Sequence, residues 1–333
     1  MITKENEQFM RRCIFLARLG AGSVSTNPMV GAVIVHNGKI IGEGYHKKFG
    51  QAHAEVNAIN SVKNPELLSE SEIYVSLEPC AHFGKTPPCA DLIIEKGIKK
   101  VYVGCLDPFS KVDGKGIKKL KNAGVEVVTG VLEKECQELN RRFFTFVNLK
   151  RPYVILKWAQ SLDGYIDKDF LPVKISNPLT NILSHKWRSE EDAILVGTTT
   201  AERDNPHLDN RLWSGKNPVR IILDKENSLD KTLNVFDNSQ PTIIVKEIAV
   251  EEILNKLYHN NIQSVIVEGG AKTHNFFLRY GLWDEIRIFQ SNEMLYSGTK
   301  AAQIQGKLIE NKNIGDNKLL IFRNIYRNRV KVL

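Results

Sequence analysis

The sequence is poor in cysteine and lacks a long hydrophobic run. Five cysteines in 333 residues, and a polar start over residues 1–12 without a secretory core, predict a reducing cytoplasmic location without disulfides. No apolar stretch approaches the roughly 18 residues of a membrane span, so we expect no membrane partner. This length, with ordinary hydrophobic (42%) and charged (25%) fractions, predicts two globular domains.

Positive charge is not concentrated in any one region either. The net charge is +8, but residues 1–150 hold 21 basic and 16 acidic residues, and the remainder holds 25 and 22. The absence of a basic arm argues against a nucleic-acid partner. The lysine-rich stretch 111–121 is typical of a solvated helix face. Mild basicity suits a phosphorylated small-molecule substrate.

The most informative feature is a set of zinc ligands. His53, Cys80 and Cys89 can supply three ligands, and Glu55 follows the histidine by two positions. Structural zinc sites usually have four protein ligands, whereas catalytic sites leave one position for water. Three ligands with a nearby carboxylate therefore predict zinc catalysis, with Glu55 as the proton carrier. A structural zinc would need a fourth ligand, for which His82 is the nearby candidate.

The order His-x-Glu, then Pro-Cys, resembles the zinc nucleobase deaminases. The cysteine spacing departs from theirs, because Cys-Ala-His-Phe-Gly-Lys-Thr-Pro-Pro-Cys places eight residues between the two cysteines. This longer loop, with Asn27-Pro28 and Gly42-Glu43-Gly44-Tyr45-His46 upstream, resembles the deaminase half of the bifunctional deaminase/reductase family of bacterial riboflavin biosynthesis. The resemblance covers nearly the whole chain.

In the first half, the resemblance implies pocket residues beside the metal. Asn27 matches the position whose side chain holds the pyrimidine edge. Lys85 is expected to hold the ribose phosphate as a point charge. A surface or packing role stays open for Lys85 and for His46. His82 either contacts the substrate or fixes its loop by a hydrogen bond.

The second half carries an ordered set of motifs that resembles the reductase half of the same family, which has a dihydrofolate-reductase-like fold and uses NADPH. The motifs include Lys-Trp-Ala-Gln-Ser-Leu-Asp-Gly, Trp-Arg, Asp-Asn-Pro-His-Leu and Glu-Gly-Gly-Ala-Lys-Thr. The resemblance implies substrate-binding positions at Arg188, Leu208, Arg211 and Glu268. It implies NADPH-contacting positions at Gln160, Lys174, Thr200, Asp204, Lys225, Gly270, Ala271, Lys272, Thr273, His274, Asn275 and Phe276.

Physical arguments support part of this reductase set. The run Glu268–Thr273 follows an apolar strand and precedes a helix, which suits an anion cradle for dinucleotide phosphates, although a plain strand–helix turn is the alternative. The arginine fork suits phosphate, with a helix-surface salt bridge as the alternative for Arg188. Lys174 and Lys225 depart from the family, which usually has an aromatic and a small polar residue there. Lys174 can still face an NADP phosphate.

Alternating strands and helices predict an α/β fold in both halves. A hairpin is expected over 30–45 around Asn37-Gly38, and a single helix over 131–147. We expect an N-terminal cytidine-deaminase-like α/β/α domain over 1–147. We expect a C-terminal dihydrofolate-reductase-like α/β domain over 152–333.

The sequence therefore predicts a bifunctional enzyme of riboflavin biosynthesis. Zinc would serve deamination of 2,5-diamino-6-(5-phosphoribosylamino)pyrimidin-4(3H)-one, and NADPH would reduce the ribosyl chain to ribityl. One alternative is a nucleic-acid or nucleoside deaminase with a C-terminal binding domain, which predicts a short Cys-x-x-Cys loop and a basic face. Another alternative is a zinc-stabilised binding module without catalysis, but this function does not explain the presence of Glu55 beside the zinc ligands. The expected partner is a phosphorylated pyrimidine, and the chain is expected to form a homo-oligomer.

Overall fold

The computed structural model describes residues 2–81, 83, 87–108, 114–171 and 173–325. The chain divides into two compact units, Met1–Leu149 and Lys150–Leu333. The expected site residues His82 and Lys85 lie outside the described residues. Within the described part of the chain, every helix is too short or too polar to cross a membrane.

The first unit is built on a five-stranded sheet in the order β2-β1-β3-β4-β5. Its strands are β1 Gly31–His36, β2 Lys39–Tyr45, β3 Glu72–Leu77, β4 Lys100–Cys105 and β5 Glu126–Thr129. Its α-helices are α1 Lys4–Arg18, α2 Ala54–Asn60, α3 Cys89–Glu95, α4 Lys115–Asn122, α5 Glu133–Leu139 and α6 Arg141–Leu149. A 3-10 helix covers Pro65–Glu70. Strand β1 is antiparallel to β2 and β3, whereas β3, β4 and β5 are parallel.

Helices cover both faces of this sheet. On one face α2, α3 and α4 bury Ala58, Ile93 and Leu120. On the other face α1 and α5 bury Met10 and Cys136. Successive strand side chains point to opposite faces, so one sheet supplies two apolar cores. The predicted α/β/α architecture is confirmed.

Two local predictions had different outcomes. The hairpin is confirmed, since β1 and β2 pair around Asn37 and Gly38, which both have positive φ as a two-residue turn requires. The single helix over 131–147 is wrong, because α5 ends at Leu139 and α6 begins at Arg141. Between them the buried side chain of Asn140 accepts a hydrogen bond from the Met29 nitrogen and donates one to the Met29 oxygen, each at 2.8 Å. This tertiary contact fixes the break.

The second unit contains an eight-stranded sheet in the order β12-β13-β11-β6-β10-β7-β8-β9. Its strands are β6 Tyr153–Gln160, β7 Ala193–Gly197, β8 Val219–Leu223, β9 Thr242–Val245, β10 Ser264–Val267, β11 Glu285–Gln290, β12 Lys307–Ile314 and β13 Asn317–Arg323. Its α-helices are α7 Pro178–Glu190, α8 Thr198–Asp204, α9 Val250–His259 and α10 Ala271–Arg279. A 3-10 helix covers Asn234–Phe236.

This sheet is parallel from β9 to β11, and β13 and β12 complete it antiparallel. Helices α9 and α10 bury Leu257 and Phe277 against one face. Helices α7 and α8 bury Trp187 and Ala201 against the other. The predicted α/β class is confirmed here too. Parallel strands place their carboxyl ends along one edge of the sheet, where ligand crevices of such folds form.

Candidate active sites

Three side chains that can bind zinc converge in the first unit. The Nδ1 atom of His53 lies 3.6 Å from the Cys80 sulfur and 3.3 Å from the Cys89 sulfur. All three ligand atoms lie within 4.8 Å of one another. Tetrahedral zinc with bonds of about 2.0–2.3 Å separates its ligands by roughly 3.5–3.8 Å. The three residues therefore fit a zinc ion, with Nδ1 as the histidine donor.

Strand and helix ends bring these ligands together. Cys80 follows β3, and Cys89 opens α3. His53 precedes α2 with extended backbone angles and makes no side-chain cap hydrogen bond, so its ring is available to a metal. The backbone nitrogen of Cys89 donates to the Cys80 sulfur at 3.3 Å. This hydrogen bond favours the thiolate that zinc requires.

The titration of the three ligands is linked. Hydrogen bonds from Cys89 and His53 lower the pKa of Cys80 to about 4. The hydrogen bond of His53 with Cys80 raises the pKa of His53 to about 9. The hydrogen bond of Cys89 with Cys80 raises the pKa of Cys89 well above its ordinary value. Protons are therefore held between the ligand atoms, and a metal that binds all three must displace them.

Glu55 lies in the first turn of α2, two residues after His53, and is 3% exposed. Burial raises its pKa to about 7, although the charge of His53 opposes this shift. A general acid and base works best when its pKa is near the operating pH. Glu55 and the ligands His53 and Cys80 line one cavity of about 310 Å³, which is large enough for a small ring.

Asn27 and His46 also line this cavity. The oxygen of Ala52 can only accept, so the His46 Nδ1 that lies 3.1 Å from it carries the hydrogen. The Nε2 atom then accepts from the Asn27 Nδ2 atom at 3.2 Å. This hydrogen bond orients the Asn27 amide, and the Oδ1 atom remains as the acceptor of that side chain. Sequence reasoning missed the other wall of the cavity, to which α6 contributes Phe143 and Phe146.

The second unit holds a larger cavity of about 740 Å³, a size suited to a dinucleotide. Of the predicted reductase residues, those that line it are Lys174, Thr200, Asp204, Glu268, Gly270, Ala271, Lys272, Thr273 and His274. All of them except Lys174 follow β7 or β10, and these two strands are adjacent and parallel. The cavity therefore opens at the carboxyl ends of these strands, where such sheets bind ligands.

The turn after β10 lets the backbone at Gly269 approach the end of β7 closely. A Cβ atom on Gly269 would lie 2.6 Å from the Cα atom of Val196, so only glycine fits between the two strand ends. Gly270 has a φ of 51° and precedes α10, whose helix opens at Ala271. The first amides of a helix have no intrahelical acceptor. The residues present therefore fit the phosphates of a dinucleotide.

A buried ionic cluster lies at one side of the larger cavity. Arg188 holds Glu268 through two hydrogen bonds, at 3.0 and 2.7 Å. Lys157 on β6 lies 3.7 Å from the same carboxylate. Burial opposes ionisation of Glu268, but the charges of Arg188 and Lys157 outweigh it and lower its pKa to about 2. Burial lowers the pKa of Lys157. Sequence reasoning missed Lys157, although a lysine inside an apolar strand was a usable indication.

Arg188 and His274 also make internal contacts. The Nη1 atom of Arg188 donates to the Asp209 oxygen at 2.8 Å, so this arginine is largely engaged by protein groups. The Nε2 atom of His274 donates to the Val267 oxygen at 3.0 Å, and burial lowers the His274 pKa to about 4. His274 is therefore neutral and holds the start of α10 against β10.

The remaining predicted residues lie outside the cavity lining as the structure describes it. Gln160 accepts a hydrogen bond from Trp158, and Leu208 is buried in the core. Arg211 is 57% exposed and pairs with Asp209. Lys225 is 65% exposed beside Glu226. Asn275 is exposed, and Phe276 packs against the core.

Fold and sites together define a zinc-dependent deaminase joined to an NADPH-dependent reductase. Residues 3–105 match the cytidine and deoxycytidylate deaminase zinc-binding region, and residues 152–311 match the RibD C-terminal domain. The riboflavin biosynthesis protein RibD of Aquifex aeolicus is 38% identical over 97% of this chain and 99% of its own. That of Bacillus amyloliquefaciens is 40% identical over 90% and 87%.

A solved structure agrees with these matches. The diaminohydroxyphosphoribosylaminopyrimidine deaminase/5-amino-6-(5-phosphoribosylamino)uracil reductase of Thermotoga maritima has a TM-score of 0.90 and 39% identity, over 96% of this chain and 99% of its own. The chain belongs to the RibD family, the bifunctional deaminase–reductases of riboflavin biosynthesis. The prediction of this family is confirmed, and the nucleic-acid deaminase alternative is not favoured.

Proposed function

We propose that the two reactions are divided between the two halves of the chain. Residues 1–147 deaminate a phosphoribosylamino-pyrimidine, and residues 152–333 reduce its ribosyl chain to ribityl. The proposal rests above all on Glu55 sharing one cavity with the zinc ligands His53 and Cys80 in the first unit, while the ionic cluster around Glu268 belongs to the second unit. The substrates follow from the name of the Thermotoga relative. Incubation with the diaminopyrimidine, with and without NADPH, tests this by product mass.

In the deamination, His53, Cys80 and Cys89 hold zinc, which when bound supplies an activated water. Asn27 holds the edge of the pyrimidine through its amide oxygen. Glu55 takes up the first proton of the attacking water at a carboxylate oxygen and delivers it to the ring nitrogen, and it then carries the second proton of that water to the departing amine. The ring carbon gains oxygen, and ammonia leaves. Lys85 is proposed to hold the ribose phosphate.

In the reduction, NADPH supplies a hydride to the ribosyl C1 carbon when bound. Gly269 and Gly270 admit its phosphates to the start of α10. The reduced sugar also needs a proton, and Lys157, whose ammonium lies 3.7 Å from the Glu268 carboxylate, lines the cavity. We therefore assign Lys157 as the proton donor.

For the other reductase residues we propose the roles that the sequence predicts. Those proposed to hold the substrate with Glu268 are Arg188, Leu208 and Arg211. Those proposed to contact NADPH with Gly270 are Gln160, Lys174, Thr200, Asp204, Lys225, Ala271, Lys272, Thr273, His274, Asn275 and Phe276. Of the two arginines, Arg211 is the more exposed, with its side chain 57% exposed against 14% for Arg188. Arg211 is therefore the better placed to reach a phosphate from solvent.

Replacing Cys89 by serine is expected to remove the zinc and abolish deamination, because a hydroxyl at this position is a far weaker ligand than a thiolate. Reduction of pre-deaminated substrate should persist. Elemental analysis should give one zinc per wild-type chain and well under half of that for the variant. Stoichiometric zinc in Cys89→Ser would show that this cysteine is not a ligand.

Gly269→Ala is expected to weaken NADPH binding, since its Cβ atom would meet the Val196 backbone at 2.6 Å and displace the cradle. Overpacking of this kind costs about 1–3 kcal/mol. The KM for NADPH should rise about tenfold or more, while deamination is unchanged. Deamination by the same variant is the internal control. An unchanged KM in Gly269→Ala would contradict the cradle.

We further propose that the chain works in the cytoplasm as a homo-oligomer without nucleic acid. Strand β12 is an edge strand that exposes Leu308 and Ile309, at 44% and 48%, and such edges favour pairing with another chain. Light scattering is expected to give a mass at least twice the 37.7 kDa of the monomer. A monomeric mass at assay concentration would contradict the proposed homo-oligomer.

A further inference from the structure

Glu78 is a buried carboxylate that the proposed chemistry does not use. It lies between β3 and Cys80 and is 4% exposed. Its Oε1 atom accepts from the backbone nitrogens of Gly116 and Ile117 at 3.0 and 3.3 Å. Its Oε2 atom accepts from those of Gly114 and Asp107 at 3.1 and 3.4 Å. Because four donors occupy its two oxygens, Glu78 is poorly placed to exchange a proton with a substrate.

The backbone around Glu78 is held from two further directions. The Glu78 nitrogen donates to the Cys105 oxygen at 3.0 Å, which continues the pairing of β3 with β4. On the other side, a Cβ atom on Gly116 would lie 1.9 Å from the Pro79 oxygen. The start of α4 therefore packs directly on the peptide that leads to Cys80.

These contacts join a zinc ligand to the substrate cavity. Cys80 lies two residues beyond the anchored carboxylate, and Asp107, one of the donors to Glu78, lines the same cavity as Glu78 itself. A shift of the carboxylate would therefore move the sulfur and the cavity wall together. Groups that orient metal ligands tune metal affinity in this way.

We propose that Glu78 is a positioning residue for deamination, which fixes Cys80 at the zinc position and Asp107 at the cavity wall. The proposal rests on the proposed zinc site. Glu78→Gln keeps the size of the side chain but replaces one acceptor oxygen by an amide that opposes two N–H donors. The apparent zinc dissociation constant should rise about 10- to 100-fold, and kcat for deamination should fall even at saturating zinc. Reduction should be unchanged.

The matched control is Glu95→Gln, which makes the same chemical change on α3, where Glu95 is 68% exposed and contacts Lys96. Zinc affinity is measured by chelator competition on the soluble full-length chain. Wild-type zinc affinity and kcat in Glu78→Gln would overturn the proposal, as would a lowered melting temperature with both values unchanged. A wild-type chain that binds no zinc would instead contradict the proposed site.

Two further measurements test the positioning role of Glu78 if Glu78→Gln does not fold. Gly116→Ala retains the carboxylate but pushes on the Pro79 oxygen, so it should weaken zinc binding in the same direction. In the wild-type holoenzyme, chelation of zinc should speed amide hydrogen exchange at Gly114, Gly116 and Ile117, because coupling is reciprocal. Unchanged exchange at these amides, or wild-type zinc affinity in Gly116→Ala, would overturn the role of Glu78.

Discussion

Glu55→Gln is expected to deaminate about 10²- to 10⁴-fold more slowly than the wild type while it keeps one zinc per chain. The amide has nearly the same shape as the carboxylate but cannot take up and return a proton at neutral pH. Glu55 is buried in the cavity that the zinc ligands share, so bulk water is a poor substitute. The loss should appear in kcat, since proton transfer is made in the transition state.

Zinc content and reductase activity are the internal controls for Glu55→Gln, and Glu95→Gln is the matched surface variant. Ammonia release from the diaminopyrimidine measures the effect. If Glu55→Gln retained zinc and released ammonia at the wild-type rate, the proton carrier would be another group. If it lost zinc, the result would not separate proton transfer from metal binding, and kcat would be measured with zinc added back to saturation.

Lys157→Met is expected to lower kcat/KM for reduction by about two orders of magnitude or more. Methionine fills a similar volume but carries no proton. Glu268 would keep its two hydrogen bonds to Arg188, so the change leaves no buried carboxylate unpaired. The affinity for NADPH should change little, because the phosphate cradle after β10 is built from other residues.

Stopped-flow oxidation of NADPH, with the deaminated pyrimidine as substrate, measures the Lys157→Met effect. Lys186→Met is the matched control, since Lys186 is 42% exposed on α7 and pairs with Glu190. Wild-type rates in Lys157→Met would exclude this lysine as the proton donor. A large loss of NADPH affinity with kcat intact would instead assign it to cofactor binding.

The zinc site was the most predictable part of the molecule. His53, Cys80 and Cys89 lie at helix starts and strand ends that short-range spacing already indicates, and three soft or borderline ligands with one carboxylate have few other uses. The glycine turn at Gly269 was predictable for a similar reason, since a turn between a strand and a helix is a local feature. Both predictions required only the order of neighbouring elements.

Features set by distant contacts were not predictable. The break between α5 and α6 depends on Asn140 meeting Met29, which lies 111 residues away in sequence. The burial of Glu285 and Arg287 in β11 was not predictable either. In the fold these two side chains are buried as an ion pair at 2.6 Å. Burial of paired charge cannot be read from hydrophobic periodicity.

The same limit applies to the reductase cavity. The proposed role of Lys157 depends on β6 lying beside β10 in the sheet, which brings its ammonium to Glu268. More than a hundred residues of sequence separate Lys157 from Glu268. The contacts of Arg188 with Glu268 and with the Asp209 oxygen likewise could not be read from the sequence. Tertiary packing decides these contacts.

In the proposed division of labour, one chain carries two chemistries at two sites, one in each half. The most direct measurement assays Glu55→Gln and Lys157→Met, each on the diaminopyrimidine and on its deaminated product with NADPH. We expect Glu55→Gln to lose deamination and keep reduction, and Lys157→Met to keep deamination and lose reduction. Loss of both activities in either soluble, folded variant would contradict the division of labour between the two halves.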